Sequence, residues 1–299
     1  MVLDKPSGMS SNKAVQKAKQ LFAARKVGHT GSLDPLATGV LPLCFGEATR
    51  FSRYLLESDK KYTARIVLGV STDSGDADGK IVRERPVGKL TEATVDKALD
   101  AYRGEIQQVP SMFSAVKHQG QPLYKLARQG IEVERKARSV TVYACATREF
   151  AGDELTLDIH CSKGTYVRTI VHELGESLGC GAHVKALRRT MAGPFGERDL
   201  VTFEMLAACG NESVARERLD ARLQPVSSAV RQWPEVTLTG DAAYYLRQGQ
   251  PVIVPHAPTE GWVRLAEAAS TEVSDARFLG VGEVLDDGRV APRRLVPAN

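Results

Sequence analysis

The order of apolar and polar residues predicts both strands and helices along the chain. Apolar and β-branched residues alternate with polar ones in four segments, as expected for strands with one buried face. These predicted strands are residues 1–4, 61–70, 139–149 and 154–161. Apolar residues recur at helical spacing after Ser10 or Ser11, over residues 47–57, over residues 91–102 and again after residue 168. Segment 183–190 is compatible with a strand or a short helix, and either one puts Lys185, Arg188 and Arg189 on a positive face.

The C-terminal part is predicted to form a separate β-rich module. Two prolines and two serines, Pro225, Ser227, Ser228 and Pro234, break the pattern and indicate a domain boundary between about residues 225 and 236. Beyond it, short strands are predicted at residues 251–254, 262–267, 277–285 and 290–296, with a small helix at 241–248. Short strands at such spacing are typical of a compact β domain. A length of 299 residues agrees with roughly two domains.

One stretch departs from both patterns: GHTGSLDPLATGVL, at residues 28–41. It combines three glycines with Asp34 and Pro35, and the proline pushes Asp34 towards an extended conformation. Asp-Pro pairs commonly form surface turns in which the aspartate bonds its own backbone. However, the stretch runs into the apolar residues 40–43, so the turn is expected to lie beside the core. A carboxylate beside a core needs a partner or a function. From the local residues alone, Asp34 could belong to an ordinary surface turn or to a functional site.

Positive charge is concentrated in one segment. The whole chain has a net charge of +4, with 42% apolar and 25% charged residues, as in an ordinary globular protein. Between residues 117 and 138, six basic residues face only Glu132 and Glu134, so this part alone also carries +4. The six are Lys117, Lys125, Arg128, Arg135, Lys136 and Arg138. With Phe113 and Tyr124 available to stack on bases, the segment is either a solvated loop or a nucleic-acid contact.

Signals for metal, membrane and secretion are weak. The acidic turn at residues 73–79 resembles a calcium loop, but Arg85 occupies the position where a bidentate glutamate is required, so no metal is predicted. Nowhere do 18 apolar residues run together, and the start lacks a charged-then-apolar leader, so neither a membrane span nor secretion is expected. Five scattered cysteines fit buried thiols in a reducing cytoplasm.

Seven short stretches, in order along nearly the whole chain, together resemble the bacterial TruB family of tRNA pseudouridine synthases. They are LDKPSGMSS (3–11), VGHTGSLDPLATGVLP (27–42), DKKY (59–62), RQGIEV (128–133), HCSKGTYVRT (160–169), LGCGAHV (178–184) and DGRVAPRRL (287–295). The resemblance implies an α+β fold, with a mixed, largely antiparallel sheet flanked by helices and a small β-rich C-terminal domain of PUA type. It also implies a catalytic domain at residues 1–230, an RNA-gripping insertion at residues 104–138, and a PUA-like RNA-binding domain at residues 236–299.

The reaction implied by the resemblance is the isomerisation of uridine 55, in the T-loop of tRNA, to pseudouridine after the base has flipped out of its stack. An N-glycosidic bond is broken and remade through C5 without redox change, so the reaction needs a nucleophile and no cofactor. The resemblance makes Asp34 that nucleophile and Arg168 its counter-charge. Tyr62 would stack on the uracil beside the carbon that loses a proton. Attack by Asp34 at C6 of the ring and at C1′ of the sugar both stay open.

The resemblance also assigns binding residues. His29 would lie near the extruded base, and the loop glycines would let the backbone approach that nucleotide closely. Tyr166 and Lys5 would line or support the pocket, although a core tyrosine and a solvated turn lysine stay open for them. The tRNA would be contacted by the six basic residues of the insertion and by Arg293 and Arg294.

Two other functions stay open. A non-catalytic RNA binder or tRNA folding chaperone would use the same cleft, and folding assistance is also expected as an additional role. A guide-dependent synthase of the dyskerin type is the nearest alternative enzyme. The insertion at residues 104–138 favours the stand-alone form, which binds the T-arm of tRNA and needs no guide RNA. We expect a monomeric, cytoplasmic protein whose affinity for RNA falls steeply with salt.

Overall fold

Within residues 1–210, 215–268 and 276–297, which the computed structural model describes, the chain forms eighteen strands and eight α-helices. The strands are β1 (Val2–Lys5), β2 (Val27–His29), β3 (Thr38–Phe45), β4 (Lys60–Leu68), β5 (Val70–Thr72), β6 (Ile81–Glu84), β7 (Gly104–Gln108), β8 (Lys117–His118), β9 (Gln121–Pro122), β10 (Arg138–Ala151), β11 (Glu154–Cys161), β12 (Ala182–Ala192), β13 (Phe195–Gly196), β14 (Leu200–Val201), β15 (Glu235–Leu238), β16 (Gly261–Glu267), β17 (Arg277–Val284) and β18 (Val290–Leu295). The helices are α1 (Ser11–Leu21), α2 (Ser52–Leu56), α3 (Glu92–Leu99), α4 (Leu123–Ala127), α5 (Val167–Ser177), α6 (Phe203–Ala207), α7 (Ala215–Asp220) and α8 (Gly240–Arg247).

Ten of these strands form one sheet. Their order is β14-β1-β3-β12-β4-β11-β10-β7, with β2 paired to β3 and β13 paired to β12. The β1–β14 and β3–β12 pairs are parallel, whereas β1–β3, β12–β4, β4–β11, β11–β10 and β10–β7 are antiparallel. This mixed, largely antiparallel sheet confirms the predicted fold class.

Helices α1, α3 and α5 bury the apolar face of this sheet. Along β11 every second residue from Leu155 to Cys161 is buried, as the alternation in the sequence predicts. On α5, Ile170, Val171 and Leu174 face the sheet at helical spacing. Each large apolar side chain buried in this way contributes about 1.5–3 kcal/mol. The first residues of α5 are thereby held firmly against the loop that follows β2.

A second sheet, in the order β15-β16-β17-β18, forms the C-terminal body together with α8. The predicted strand at residues 251–254 is wrong: only Val252 forms a bridge there, to Val290. Prolines at 251 and 255 bracket that segment and cannot donate hydrogen bonds to a sheet. Strand β15, which begins directly after Pro234, was not predicted, and it pairs in parallel with β16. The predicted domains also include residues 211–214, 269–275 and 298–299, which lie outside the described residues.

An aromatic cluster joins the two sheets near the end of α2. The Tyr54 ring centroid lies 5.1 Å from that of Trp233 and 5.4 Å from that of Trp262. Phe51 packs against Phe278 of β17, with ring centroids 5.8 Å apart. The predicted helix at residues 47–57 is present as a 3₁₀ turn followed by α2. Because α2 packs in this cluster, the short segment between α2 and β4 is held in place.

The segment at residues 104–138 leaves the large sheet after β7 and returns in β10. Between them lie β8, β9 and α4, which share a small apolar cluster of Met112, Leu123 and Leu126. The insertion thus carries a core of its own, and its basic side chains lie around that core.

Segment 183–190 is part of strand β12. The predicted positive face is only partly present: Lys185 and Arg188 point outward, whereas the Arg189 side chain is buried. Arg188 and Arg189 alternate as strand neighbours do, and a register shift between Val184 and Ala186 allows Lys185 to point outward as well. All five cysteines are buried free thiols, as predicted. No helix of the described chain is long and apolar enough to cross a membrane. Among the described residues, no cluster of three or more His, Cys, Asp or Glu side chains could hold a metal ion.

Candidate active site

The loop between β2 and β3 carries Asp34 and is anchored on its inner side. The Ser11 hydroxyl, in the first turn of α1, accepts from the Leu33 N–H (2.8 Å) and donates to the Leu33 carbonyl (3.1 Å). The Gly8 N–H donates to the Pro35 carbonyl (2.9 Å). The residues on both sides of Asp34 are therefore fixed by the preceding segment, and the Asp34 side chain is left to face outward.

Lys5 lies beneath this loop and is fully buried. Its amine donates to the carbonyls of Pro6 (2.8 Å), Met9 (2.6 Å) and Pro35 (3.2 Å). Burial lowers the pKa of this amine to about 8, against the opposing effect of the Asp34 carboxylate. All three donors of Lys5 are occupied by these carbonyls, which agrees with the expected support of the pocket, and its burial makes a solvated turn position wrong. Lys5 does not line the cleft, and a direct contact with the substrate stays a prediction.

Arg168, in the first turn of α5, forms a two-pronged ion pair with Asp34. Its Nε lies 2.9 Å from Oδ2 and its Nη2 3.1 Å from Oδ1, in the planar geometry that suits a carboxylate. The Arg168 side chain is 5% exposed and the Asp34 side chain 36% exposed. The remaining donors of Arg168 bind the carbonyls of Ser74 (2.7 Å) and Phe113 (2.9 Å). One guanidinium thus connects the Asp34 loop, the acidic turn and the insertion.

Asp76 is a second carboxylate at this arginine. Its Oδ2 lies 3.6 Å from Arg168 Nη1, and its side chain is buried. Burial raises the pKa of the Asp34 carboxyl, and the Asp76 charge raises it further, whereas Arg168 opposes both effects. Arg168 is therefore the main group that favours the ionised form of Asp34 against the effect of burial.

Asp34 and Arg168 open into a cleft of about 270 Å³. Tyr62 and Tyr166 line the same cleft, so four of the predicted site residues meet there. The remaining lining comes from the loop 31–33, from Leu56 and Lys60, from the insertion at 114–115, from the turn 162–167, and from Leu187 and Arg189. A neutral, flat ring fits between such apolar and aromatic walls with a carboxylate at one side.

Tyr62 and Tyr166 reach the cleft from different elements. Tyr62 lies in β4, where it pairs with Ile159 on one side and Arg189 on the other. Burial raises the pKa of the Tyr62 hydroxyl, so it stays protonated at neutral pH. Tyr166 immediately precedes α5, and the side chain of Gln108 holds its backbone through bonds to both N–H (3.0 Å) and carbonyl (3.3 Å).

His29 ends β2, two residues before the first residue that lines the cleft. Burial, and then the Arg189 charge, lower the pKa of its imidazole, so the ring is neutral at neutral pH. Its Nδ1 is buried without a partner among the described residues. The predicted role of the loop glycines is wrong for Gly39, because a side chain there would meet the Arg189 carbonyl in β12 and not an open cleft.

Three further charged residues lie at the cleft or at Arg168 and are not predicted as site residues from the sequence: Asp76, Lys60 and Arg189. Asp76 lay in a turn judged only as a metal loop, Lys60 directly precedes the recognised Tyr62, and Arg189 was assigned to a surface. Lys60 is buried, its amine donates to the carbonyls of Leu55, Leu56 and Ser58, and burial lowers its pKa to about 8. Of the three, only Lys60 lies in one of the seven family-like stretches, DKKY. For Asp76 and Arg189 the only signal in the sequence is that a charge beside buried strand residues needs a partner.

The predicted RNA contacts lie on the surface of the insertion and of the C-terminal sheet. Five of the six basic residues of the insertion are exposed, whereas Arg135 is half-buried and donates to the Pro110 carbonyl and to Glu132. Arg293 and Arg294 are both exposed on β18, and Arg293 pairs with Glu283 at 2.8 Å. The described contacts thus leave most of these cations available, while Arg135 and Arg293 would have to exchange a partner.

A larger groove of about 510 Å³ also touches β4 and β12. Its arginines are already ion-paired inside the chain: Arg65 with Glu154 (3.1 Å), Arg148 with Asp158 (3.3 Å) and Arg188 with Asp4 (3.0 Å). The groove has no buried carboxylate comparable to Asp34. The smaller cleft is therefore the better candidate for chemistry.

Models of one protein family match almost the whole chain. Residues 19–167 match the N-terminal domain of TruB family pseudouridylate synthase, residues 168–231 the tRNA pseudouridylate synthase B C-terminal domain, and residues 234–296 the C-terminal part of pseudouridine synthase II TruB. A solved chain from a Cbf5-Nop10-Gar1 complex is similar in structure, with a TM-score of 0.73 and 26% identity over 99% of this chain and 84% of that one.

Two proteins with similar sequences share the name tRNA pseudouridine synthase B. The protein named tRNA pseudouridine synthase B from Yersinia pestis (strain Pestoides F) is 54% identical over 301 residues, covering 99% of this chain and 91% of its own length. The protein of the same name from Nitrosococcus oceani is 53% identical over 296 residues, covering 99% and 94%. Identity at this level over nearly the full length of both chains, with all three family models in order, means that the chain belongs to the TruB family of pseudouridine synthases.

Proposed function

We propose that this TruB-family isomerase converts uridine 55 in the T-loop of tRNA to pseudouridine, with Asp34 as the nucleophile. The observation that carries the proposal is the Asp34–Arg168 ion pair at the wall of a cleft that also contains the Tyr62 ring. The name of the relatives, tRNA pseudouridine synthase B, supports tRNA as the substrate.

Asp34 has the properties that the nucleophile needs. It is partly exposed to the cleft, and the Arg168 charge favours its ionised form against burial, which raises its pKa. An ionised carboxylate can add to C6 of the uracil or attack C1′ of the ribose, and on either route the N1–C1′ bond breaks, the ring turns and C5 bonds to C1′. Asp34 is then released as a carboxylate, C5 loses its proton and N1 gains one, so that the product is an isomer of the substrate. Fixation of Asp34 on both sides supplies the orientation that such an attack requires.

The target base must leave its stack to reach Asp34. Flipping costs a few kcal/mol and is cheapest for bases in loops, which favours the T-loop over a helical stem. Stacking on the Tyr62 ring, and apolar contact with Leu56 and Leu187, would offset part of this cost. The protonated Tyr62 hydroxyl would lie beside the carbon that loses its proton.

The insertion at residues 104–138 supports a grip on the T-arm. It has its own apolar cluster, most of its exposed charged side chains are basic, and its Phe113 carbonyl accepts a hydrogen bond from Arg168 in the cleft. We propose that its cations, with those of a PUA-like RNA-binding domain at residues 236–299, bind phosphates, so that affinity falls steeply as salt rises. We further propose that the protein acts in the cytoplasm as a monomer and without a guide RNA, the last of which is supported by the name of its relatives. The catalytic domain would occupy residues 1–230.

Help in tRNA folding would use the same surface without Asp34. The insertion and the C-terminal cations bind RNA through charge, which does not depend on a nucleophile. A variant that binds tRNA but lacks the nucleophile would therefore separate the two roles: it would still speed refolding of a misfolded tRNA while forming no pseudouridine.

Incubation with an unmodified tRNA transcript tests the proposed function. The purified protein, with no other RNA or protein added, is expected to form one pseudouridine, at position 55. A transcript with cytidine at position 55 is the matched control and is expected to gain none. Pseudouridine at another position only, or a requirement for an added guide RNA, would contradict the assignment.

A further inference from the structure

Arg189 of β12 is a buried cation that binds both arms of the Asp34 loop. Its side chain is among the largest fully buried ones, with 1% of the residue exposed. Nη2 donates to the Gly31 carbonyl (3.0 Å) and Nη1 reaches the Ser32 carbonyl (3.5 Å) on the arm before Asp34. Nε donates to the Val40 carbonyl (2.6 Å) on the arm after it. A single guanidinium therefore closes the loop at its base.

The backbone of Arg189 reinforces this arrangement. On one side Arg189 pairs with Gly39 of β3, and on the other with Tyr62 of β4. The parallel β3–β12 ladder contains only two residue pairs, Arg188 with Thr38 and Arg189 with Gly39. So short a ladder holds β3 and β12 together only weakly. The hydrogen bonds from the Arg189 side chain to the loop carbonyls add to this attachment. Arg189 thus connects the loop that carries Asp34 to the strand that carries Tyr62.

A charge at this depth needs an explanation beyond packing. Among the described residues the Arg189 guanidinium donates to three neutral carbonyls and forms no ion pair with a carboxylate. It also lies beside the Tyr62 hydroxyl, where its charge lowers the pKa that burial raises. Burying a cation without an opposite charge lowers stability, and an apolar side chain of similar volume often stabilises such a position. What arginine adds is three donors in a rigid fork, which can order carbonyls that lie in different directions.

We propose that Arg189 is a positioning residue of the isomerisation: it holds both arms of the loop at residues 31–40 so that Asp34 and Tyr62 keep one fixed separation during attack. The inference rests on the proposed function. We assign Arg189 a positioning role and not a catalytic one, because three of its N–H groups bind carbonyls of the loop, although the side chain also lines the cleft beside Tyr62.

Paired substitutions in adjacent residues test this role. Arg188 and Arg189 are neighbours in β12 with side chains on opposite faces, and Arg188 is ion-paired with Asp4 and Glu197. Arg189→Lys keeps the charge but loses the fork, and Arg188→Lys is the matched control. With tRNA in a preformed complex, Arg189→Lys is expected to lower the single-turnover rate about 100-fold, as a displacement near 1 Å does. Its Kd for tRNA should equal that of wild type, and Arg188→Lys should change neither quantity.

Arg189→Met separates positioning from folding. It removes the charge and the fork at similar volume, so relief of the buried charge should offset the lost hydrogen bonds, and the variant should fold, bind tRNA and turn over as slowly as Arg189→Lys. An unfolded Arg189→Met would overturn the proposal in favour of a purely structural role. A folded variant with the wild-type single-turnover rate would overturn it as well. Failure of the wild type itself to form pseudouridine would refute the proposed function instead.

Discussion

Arg168→Lys tests the ion pair on which the site depends. The guanidinium makes two contacts to Asp34, one to the Ser74 carbonyl and one to the Phe113 carbonyl. Lysine keeps the positive charge but offers a single nitrogen on a flexible stem, so it cannot reach both carboxylate oxygens and both carbonyls. Asp34 would then be held at one point and could swing, and the insertion would lose its bond to the cleft.

The size of the effect follows from these contacts. Each lost bond from a charged donor to a buried carbonyl costs about 1.5 kcal/mol, so two cost about 3 kcal/mol in the free energy of unfolding. The contacts to Asp34 add less, because that side chain is 36% exposed and water screens the pair. Loosening the nucleophile by about 1 Å should lower the single-turnover rate about 100-fold.

Two assays check this prediction. Denaturant unfolding measures the stability loss, and single-turnover pseudouridine formation with saturating enzyme measures the rate. Arg65→Lys is the control, since Arg65 is an exposed arginine in a surface ion pair with Glu154. A rate for Arg168→Lys close to that of Arg65→Lys would refute the reasoning, because charge alone would then suffice to hold Asp34.

Three further outcomes are expected. Burial raises the pKa of the Asp34 carboxyl in the folded protein. The stability that this group contributes is therefore fully present below its unfolded-state pKa and is lost as pH rises through its folded-state pKa, whereas turnover falls as pH drops through the folded-state pKa. A stability and a rate that change in the same direction with pH would contradict this. Tyr62→Phe should slow single-turnover formation yet leave the Kd for tRNA unchanged, because the ring stays and the hydroxyl is lost. Gly39→Ala should lower the free energy of unfolding, measured by thermal denaturation, by about 1–3 kcal/mol, because φ at Gly39 is +98° and the new Cβ would meet the Arg189 carbonyl. Gly28→Ala is the control and should change it little, because no atom lies near the position of its Cβ.

The sequence predicted those parts of the site that lie within one motif. The odd chemistry around Asp34 and the alternation of β4 and β11 were visible as local patterns, and the observed strands follow them. The pairing of Asp34 with Arg168 joins residues 134 positions apart, and it was expected from the family resemblance alone. Local pattern could not supply it, because no periodicity links separate elements.

The parts that could not be predicted depend on which elements meet. Strand β12 shows no clear period, so the direction of the Arg189 side chain was undetermined until its neighbours β3 and β4 were known. Asp76 was hidden in a turn rich in carboxylates, where only the position of Arg168 distinguishes it. Strand β15 has four residues behind a proline, too few for alternation to be recognised.

Asp34→Asn, compared with wild type on one tRNA transcript, tests the central claim most directly. The exchange removes the nucleophilic charge and keeps the shape of the side chain. Single-turnover formation of pseudouridine at position 55 and the Kd for tRNA should be measured on the same preparations. We expect no pseudouridine from the variant, an unchanged Kd, and stability at neutral pH no lower than that of wild type, because an amide mimics the neutral form that burial favours. Pseudouridine formation by Asp34→Asn at a rate near that of wild type would contradict the claim.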